Sequence, residues 1–320
     1  MKNWFSYSAT FVLLVFLVDY IIGVQLSKRY ENNFCVHAGG DLNHYLKRPP
    51  IDTVFLGSSR VNTMIIPTII GEKVINVSKP SKHLYYNAAV VDLMEQKGKL
   101  PRKMLVLNLE VEDAYASMQT KLHEDVHYLK YYYHQNSFIR ELINRKHWLE
   151  PFKYIFSSYK FNGENFTIVT NPLQNICTSS PDGFYPLPEV QHDSLNFIAS
   201  MEERGKGFSG GFHPEFEKML LRINLICKRN QVQLVLLYGP NYSNPTALSK
   251  AANYTAQLCR LHNITFLDFN KLHPDVFKKI HWWFDSYHLN LTGAKKYSLL
   301  LKKELIRLKK PTAENSRIIN

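Results

Sequence analysis

The apolar residues of this chain fall into three patterns. From Trp4 to Leu26 they form an almost unbroken run in which Asp19 is the only charge. That matches the ~20 residues a helix needs to cross a bilayer. No small-x-small cleavage site follows, so the run predicts an uncleaved transmembrane anchor over residues 1–26. A lone carboxylate is costly in lipid, and Asp19 is expected to reach the interface or a partner helix. Residues 27–50, with Gly39-Gly40 and Pro49-Pro50, read as a linker. Beyond them, short continuous apolar runs alternate with amphipathic stretches. The short runs predict strands at Asp52–Leu56, Val74–Val77, Met104–Leu109, Gln233–Tyr238 and Thr265–Phe269. Helical periodicity marks His83–Gln96, Glu215–Asn230, Leu248–His262 and Gly293–Leu308. This alternation predicts a five-stranded parallel sheet with helices on both faces.

The third and fourth strands are separated by more chain than one crossover uses. Residues 114–212 are therefore expected to form a helical insertion within a domain spanning 51–310, followed by a polar tail, 311–320. The insertion holds Tyr128-Leu129-Lys130-Tyr131-Tyr132-Tyr133-His134, an aromatic and basic helix expected around Arg140–Tyr159, and a loop at Pro181–Pro186. Its Tyr and Trp residues suit either an aromatic subdomain core or a wall that stacks on sugar rings.

Composition narrows the partners. The chain has 320 residues, 45% of them hydrophobic and 13% aromatic, which is the make-up of a folded protein rather than a disordered one. A formal net charge of +12 favours anionic partners such as lipid head groups or acidic glycans. Nucleic acid is not expected, because neither zinc-finger spacing nor a Gly-rich phosphate loop is present. Cys35, Cys177, Cys227 and Cys259 are widely spaced and suggest no metal framework; Cys227 and Cys259 lie on apolar helical faces as buried thiols.

Candidate chemistry lies at two distant points. Gly57-Ser58-Ser59-Arg60 follows the first strand, where parallel sheets bind ligands. Asp285-Ser286-Tyr287-His288 precedes the last helix, for which Asn290 or Thr292 is a candidate cap. A serine nucleophile needs a base, and the base needs an acid that fixes its tautomer. The order Ser, Asp, His can build such a triad. Val54-Phe55-Leu56-Gly57-Ser58-Ser59-Arg60 and Asp285-Ser286-Tyr287-His288 resemble the two signature blocks of the SGNH (GDSL) hydrolases, with Ser58 standing where that family often has Asp. The resemblance implies a flavodoxin-like three-layer α/β sandwich. It also implies Ser59 as nucleophile, His288 as base and Asp285 as its orienting acid, with no cofactor.

For the oxyanion hole, the resemblance implies the serine-turn amide (Ser59), a glycine after the second strand and an asparagine after the third. Here Asn76-Val77-Ser78-Lys79-Pro80 and Leu109-Glu110-Val111-Glu112-Asp113 stand at the latter two places. An ionised glutamate would repel an oxyanion. Asn241, in Gly239-Pro240-Asn241, is the candidate substitute donor, the alternative being that it only shapes its loop. A metal set of His273, His281, Asp285 and His288 is less suited, since no glutamate is placed as base.

These departures are similar to those of anchored relatives that modify envelope polymers. The expected function is thus a single-pass, extracytoplasmic esterase or O-acyltransferase acting on an acylated envelope glycan or lipid-linked polymer, with a membrane-bound acyltransferase as possible partner. The alternative is a catalytically inactive SGNH-like scaffold or glycan-binding subunit of an envelope assembly complex.

Overall fold

The computed structural model describes residues 2–32, 40–163, 168–169, 182–191, 194–203, 208–243 and 245–308. Cys35, Cys177, Pro181 and the 311–320 tail lie outside the described residues. The chain divides into two compact units, residues 49–125 with 179–320, and residues 1–48 with 126–178.

In the larger unit, β1 (Thr53–Leu56), β2 (Val74–Asn76), β3 (Met104–Asn108), β4 (Gln233–Tyr238) and β5 (Thr265–Asp268) form one sheet. Its order is β2-β1-β3-β4-β5 and every pairing is parallel. This is the flavodoxin-like order, and it places the topological switch point between β1 and β3. Every residue of β1 and β3 is buried, because helices cover both faces and leave no polar side to the sheet.

Successive side chains then serve opposite layers. Phe55, Val106, Val235, Leu237 and Leu267 pack with Val61 and Met64 of α2 (Ser59–Met64). Tyr297, Leu301 and Leu305 of α6 (Leu291–Leu308) join the same cluster. On the other face α3 (Leu84–Gln96) lies against α4 (Pro214–Arg229). Tyr238 of β4 meets Leu248, Ala251 and Ala252 of α5 (Thr246–Leu261) there. Cys227 and Cys259 are buried free thiols on α4 and α5.

The smaller unit contains α1 (Lys2–Asn32). One window of that helix reaches a mean hydropathy of 2.2, long and apolar enough to cross a membrane. The stretch 27–50, expected as a linker, contains the end of α1 and a helix at Gly40–Lys47. Leu26 and Tyr30 are buried, and Tyr30 stacks on Tyr131 at 4.2 Å between ring centroids. Asn43 donates to the Tyr30 carbonyl at 3.0 Å, and Tyr133 stacks on Tyr154 at 3.6 Å. Tyr131, Tyr132, Tyr133, Tyr154 and Phe161 are thus an aromatic core. The helix expected from Arg140 to Tyr159 is broken into Ser137–Asn144 and Glu150–Lys153. Pro151 explains the break: without an amide hydrogen it is tolerated in a helix's first turn but not in its interior.

One loop of the larger unit is fastened to the sheet edge. The Asn76 amide donates to the Asp182 carbonyl at 2.9 Å, and the Asn62 side chain donates to the Gly183 carbonyl at 2.9 Å. Gly183 has φ +82°, and a Cβ there would lie 1.9 Å from the Asn76 carbonyl oxygen. Gly183→Ala is therefore expected to destabilise the full-length protein by at least about 2 kcal/mol, read from urea unfolding in detergent.

Candidate active site

Ser59 is the first residue of α2, directly after the turn at Gly57-Ser58. Gly57 has φ +148°, and a Cβ on it would lie 2.6 Å from the Val61 side chain and 3.1 Å from the Asn108 carbonyl oxygen. Only glycine fits this turn without displacement. Ser58 caps α2, its Oγ accepting from the Arg60 amide at 3.3 Å.

Asp285 and His288 lie on a narrow loop pinched by an antiparallel bridge between Trp283 and Leu289. The Phe284 amide donates to the His288 carbonyl at 2.8 Å. Trp283 is fully buried and donates through Nε1 to the Phe277 carbonyl at 2.9 Å. Of the two candidate caps, Asn290 accepts from the Gly293 amide at 3.0 Å, while Thr292 donates to Glu189 at 2.5 Å. Asn290 also donates to the His281 carbonyl at 2.7 Å, so one side chain closes the loop and opens α6.

The structure brings Ser59, His288 and Asp285 together from opposite ends of the sequence. Ser59 Oγ lies 2.8 Å from His288 Nε2. His288 Nδ1 lies 2.8 Å from Asp285 Oδ2 and 3.0 Å from Oδ1. The carboxylate Oδ1 also accepts from the amides of Tyr287 (2.7 Å) and His288 (2.8 Å). Burial raises the Asp285 pKa, but the bond and charge of His288 and these two amides outweigh it and hold the carboxyl below its ordinary value. An ionised Asp285 accepts only, so His288 donates to it through Nδ1 and turns Nε2 toward the Ser59 oxygen. Ser59 and His288 are partly exposed, within reach of a substrate.

Asn241 lies elsewhere in the constellation. Its Oδ1 accepts from Arg60 at 3.1 Å and its amide donates to Asn270 at 2.7 Å. After β2 the parallel pairing continues, with the Val77 amide donating to Phe55 and the Lys79 amide to Gly57. The Ser78 amide between them donates to Asn76 Oδ1 at 2.9 Å.

Two buried ionic groups were not foreseen as such. Glu110, after β3, accepts from Ser58 Oγ at 2.5 Å and lies 3.4 Å from the Arg60 guanidinium. Arg60 also donates to the Pro240 carbonyl at 2.5 Å. Burial would lower the Arg60 pKa, yet the negative charge of Glu110 raises it overall. Glu110 is therefore a compensated charge that holds the serine turn. In the second group, Asp113 contacts His83 Nδ1 at 2.7 Å and accepts from the Leu84 amide at 2.9 Å. Asp125 contacts Lys82 at 3.1 Å and accepts from the His83 amide at 3.1 Å. Burial disfavours a charged His83, but Asp113 wins and raises its pKa to about 9. The signal was in the sequence as charged residues flanking apolar strands: Arg60 directly after the serines, and Glu110 to Asp113 directly after β3.

No protein-family model matches the sequence, and no curated protein does. Among solved structures the chain is similar to one from Streptococcus pneumonia, described as a "putative platelet activating factor". Identity is 11%, over 93% of this chain and 99% of that one, with a TM-score of 0.37.

Two outcomes follow from the buried charges. Glu110→Ala leaves a guanidinium uncompensated and should cost about 3–5 kcal/mol, whereas Arg60→Met with Glu110→Leu should restore much of the loss; urea denaturation of the full chain in detergent measures both. For His83, a folded-state pKa of about 9 against an ordinary 6.5 gives stability that is full below pH 6.5 and lost as pH rises through 9. His83→Asn should flatten the fall in stability across that window.

Proposed function

We propose that this protein is a membrane-anchored serine esterase or O-acyltransferase of the SGNH type. The observation that carries the reading is the unbroken line Ser59 Oγ, His288 Nε2, His288 Nδ1, Asp285 at hydrogen-bond distances. Its placement beyond the carboxyl ends of the strands adds support. In this reading His288 takes the Ser59 proton as Oγ attacks an ester carbonyl. The imidazolium, steadied by Asp285, then returns that proton to the departing alcohol. Water, or a sugar hydroxyl in the transferase case, releases the acyl group from Ser59 by the reverse sequence. The Ser59 amide is the assigned oxyanion donor, while the buried Asn241 side chain serves Arg60.

An uncleaved anchor is supported by the way α1 enters the core of its own unit: Leu26 is buried there, and cleavage after the apolar run would strip it out. With the net charge of +12, an acylated envelope glycan or lipid-linked polymer on the extracytoplasmic side is the proposed substrate, with a membrane-bound acyltransferase as the proposed acyl source. A non-catalytic scaffold is the second reading; the engagement of the Ser78 amide by Asn76 favours it.

A fluorophosphonate probe separates the two. The wild type is expected to label at Ser59 and to release acetate from an acetylated polysaccharide, while Ser59→Ala loses labelling and at least about a thousandfold in turnover. An unlabelled wild type with intact fold would end the esterase reading.

A further inference from the structure

Asp19 is the one charge within the apolar part of α1, and the structure shows what satisfies it. Its Oδ2 accepts from the Ser157 amide at 2.5 Å, and its Oδ1 accepts from the Ser158 amide at 3.2 Å and the Ser158 hydroxyl at 2.5 Å. The expected partner helix is thus a turn of the same chain. Gly23, one helical turn further on, makes room for it: a Cβ there would lie 2.6 Å from the Ser157 Cβ. One turn earlier Phe16 stacks on Phe156, with centroids 5.3 Å apart and planes 9° from parallel. The segment ending at Ser158 is therefore fixed against the apolar part of α1, not its polar end.

That segment is two-sided. Glu150 and Tyr154 are buried within the unit, while Trp148, Leu149, Phe152, Ile155 and Phe156 are exposed, Trp148 by 72%. The Trp148 and Phe152 rings meet edge to face at 6.3 Å and Phe156 lies on Phe16 of α1, so the exposed five run from the short helix Glu150–Lys153 to the anchor. Arg145, Lys146 and His147 precede them, and Lys160 follows. Water is a poor solvent for such a stripe. Basic side chains beside exposed aromatics are the composition of an element lying in the headgroup region of a membrane.

We propose that residues 148–156 are a second membrane-contacting element. It lies in the acyl–headgroup boundary of the leaflet that α1 crosses near Phe16 to Gly23, and Asp19 locks it to the anchor. The occupant of the stripe is lipid, continuous with the exposed apolar side chains of α1. The arrangement also lowers the cost of Asp19: its oxygens meet two amides and a hydroxyl rather than hydrocarbon. This rests on α1 spanning a bilayer and is independent of the ester chemistry.

The test places nitroxide labels on the full-length protein in vesicles of neutral and anionic phospholipid. Cys35→Ser and Cys177→Ser remove two thiols, while burial pushes the Cys227 and Cys259 thiols up to about 12 and keeps them from competing. Labels go on Leu14→Cys, Phe152→Cys, Ile155→Cys and, as an exposed control in the same unit, Glu141→Cys. Collisions with oxygen, which partitions into lipid, are compared with those of a water-soluble nickel chelate. Labels at 14, 152 and 155 should favour oxygen several-fold over the label at 141. Oxygen preference at 14 but chelate preference at 152 and 155 overturns the second element and leaves the anchor standing. Chelate preference at 14 overturns both. Labels at 152 and 155 shielded from both reagents and broadened by a neighbouring nitroxide would show a second copy on the stripe and equally overturn the lipid assignment.

Discussion

Arg60 carries its charge where almost no water reaches, and three loops are arranged to hold it. The turn after β1 supplies Ser58, the stretch after β3 supplies Glu110, and the segment after β4 supplies the Pro240 carbonyl and the Asn241 oxygen. A buried ion is costly unless its partners are complete. These loops are consequently not free to drift independently, because displacing any one leaves a guanidinium or a carboxylate short of partners. Ser59 is the residue between Ser58 and Arg60. Its position is thus inherited from an ionic cluster on the protein side of the turn, which leaves the other side open to a substrate.

The sheet was legible because a parallel strand buried on both faces has to be apolar throughout. Gln233–Tyr238 has the same ends in sequence and structure, and the other strands differ by about a residue at an end. The meeting of Ser59 with His288 could be expected only from motif order, since nothing local to either block specifies a 2.8 Å approach across 229 positions. The pairing of Glu110 was not legible, for a physical reason. A carboxylate in isolation repels an oxyanion, but Arg60 cannot be paired with it until β1 and β3 are known to be neighbours. The Arg140–Tyr159 helix failed on a local signal, Pro151, whose weight was underestimated against the surrounding apolar periodicity.

Carboxylates recur in this chain as caps on irregular backbone. Asp285 takes the amides of Tyr287 and His288, Asp113 takes that of Leu84, Asp125 that of His83, and Asp19 those of Ser157 and Ser158. Each supplies the acceptor that a helix or strand ladder would otherwise give. In three of the four a second, charged or ring partner sits on the same carboxylate: His288, His83 and Lys82. This doubles the use of each acid, which fixes backbone and orients a side chain at once.

The same economy explains why His288 is held by its own loop while Ser59 depends on distant packing. Asp285, His288 and Asn290 are tied to each other and to α6 within a dozen residues of sequence. Gly293 permits this closeness, since a Cβ there would lie 2.3 Å from the Trp282 carbonyl oxygen. Ser59 instead reaches His288 because α2 and α6 share one apolar cluster and because Ser298 of α6 accepts from the Ile66 amide just beyond α2 at 2.9 Å. Anything that slides α2 along α6 therefore changes the serine–imidazole distance while leaving the imidazole–carboxylate bond intact. The triad separates into a locally built half and a half set by the core, and the second is where packing changes remote from the serine would be felt first.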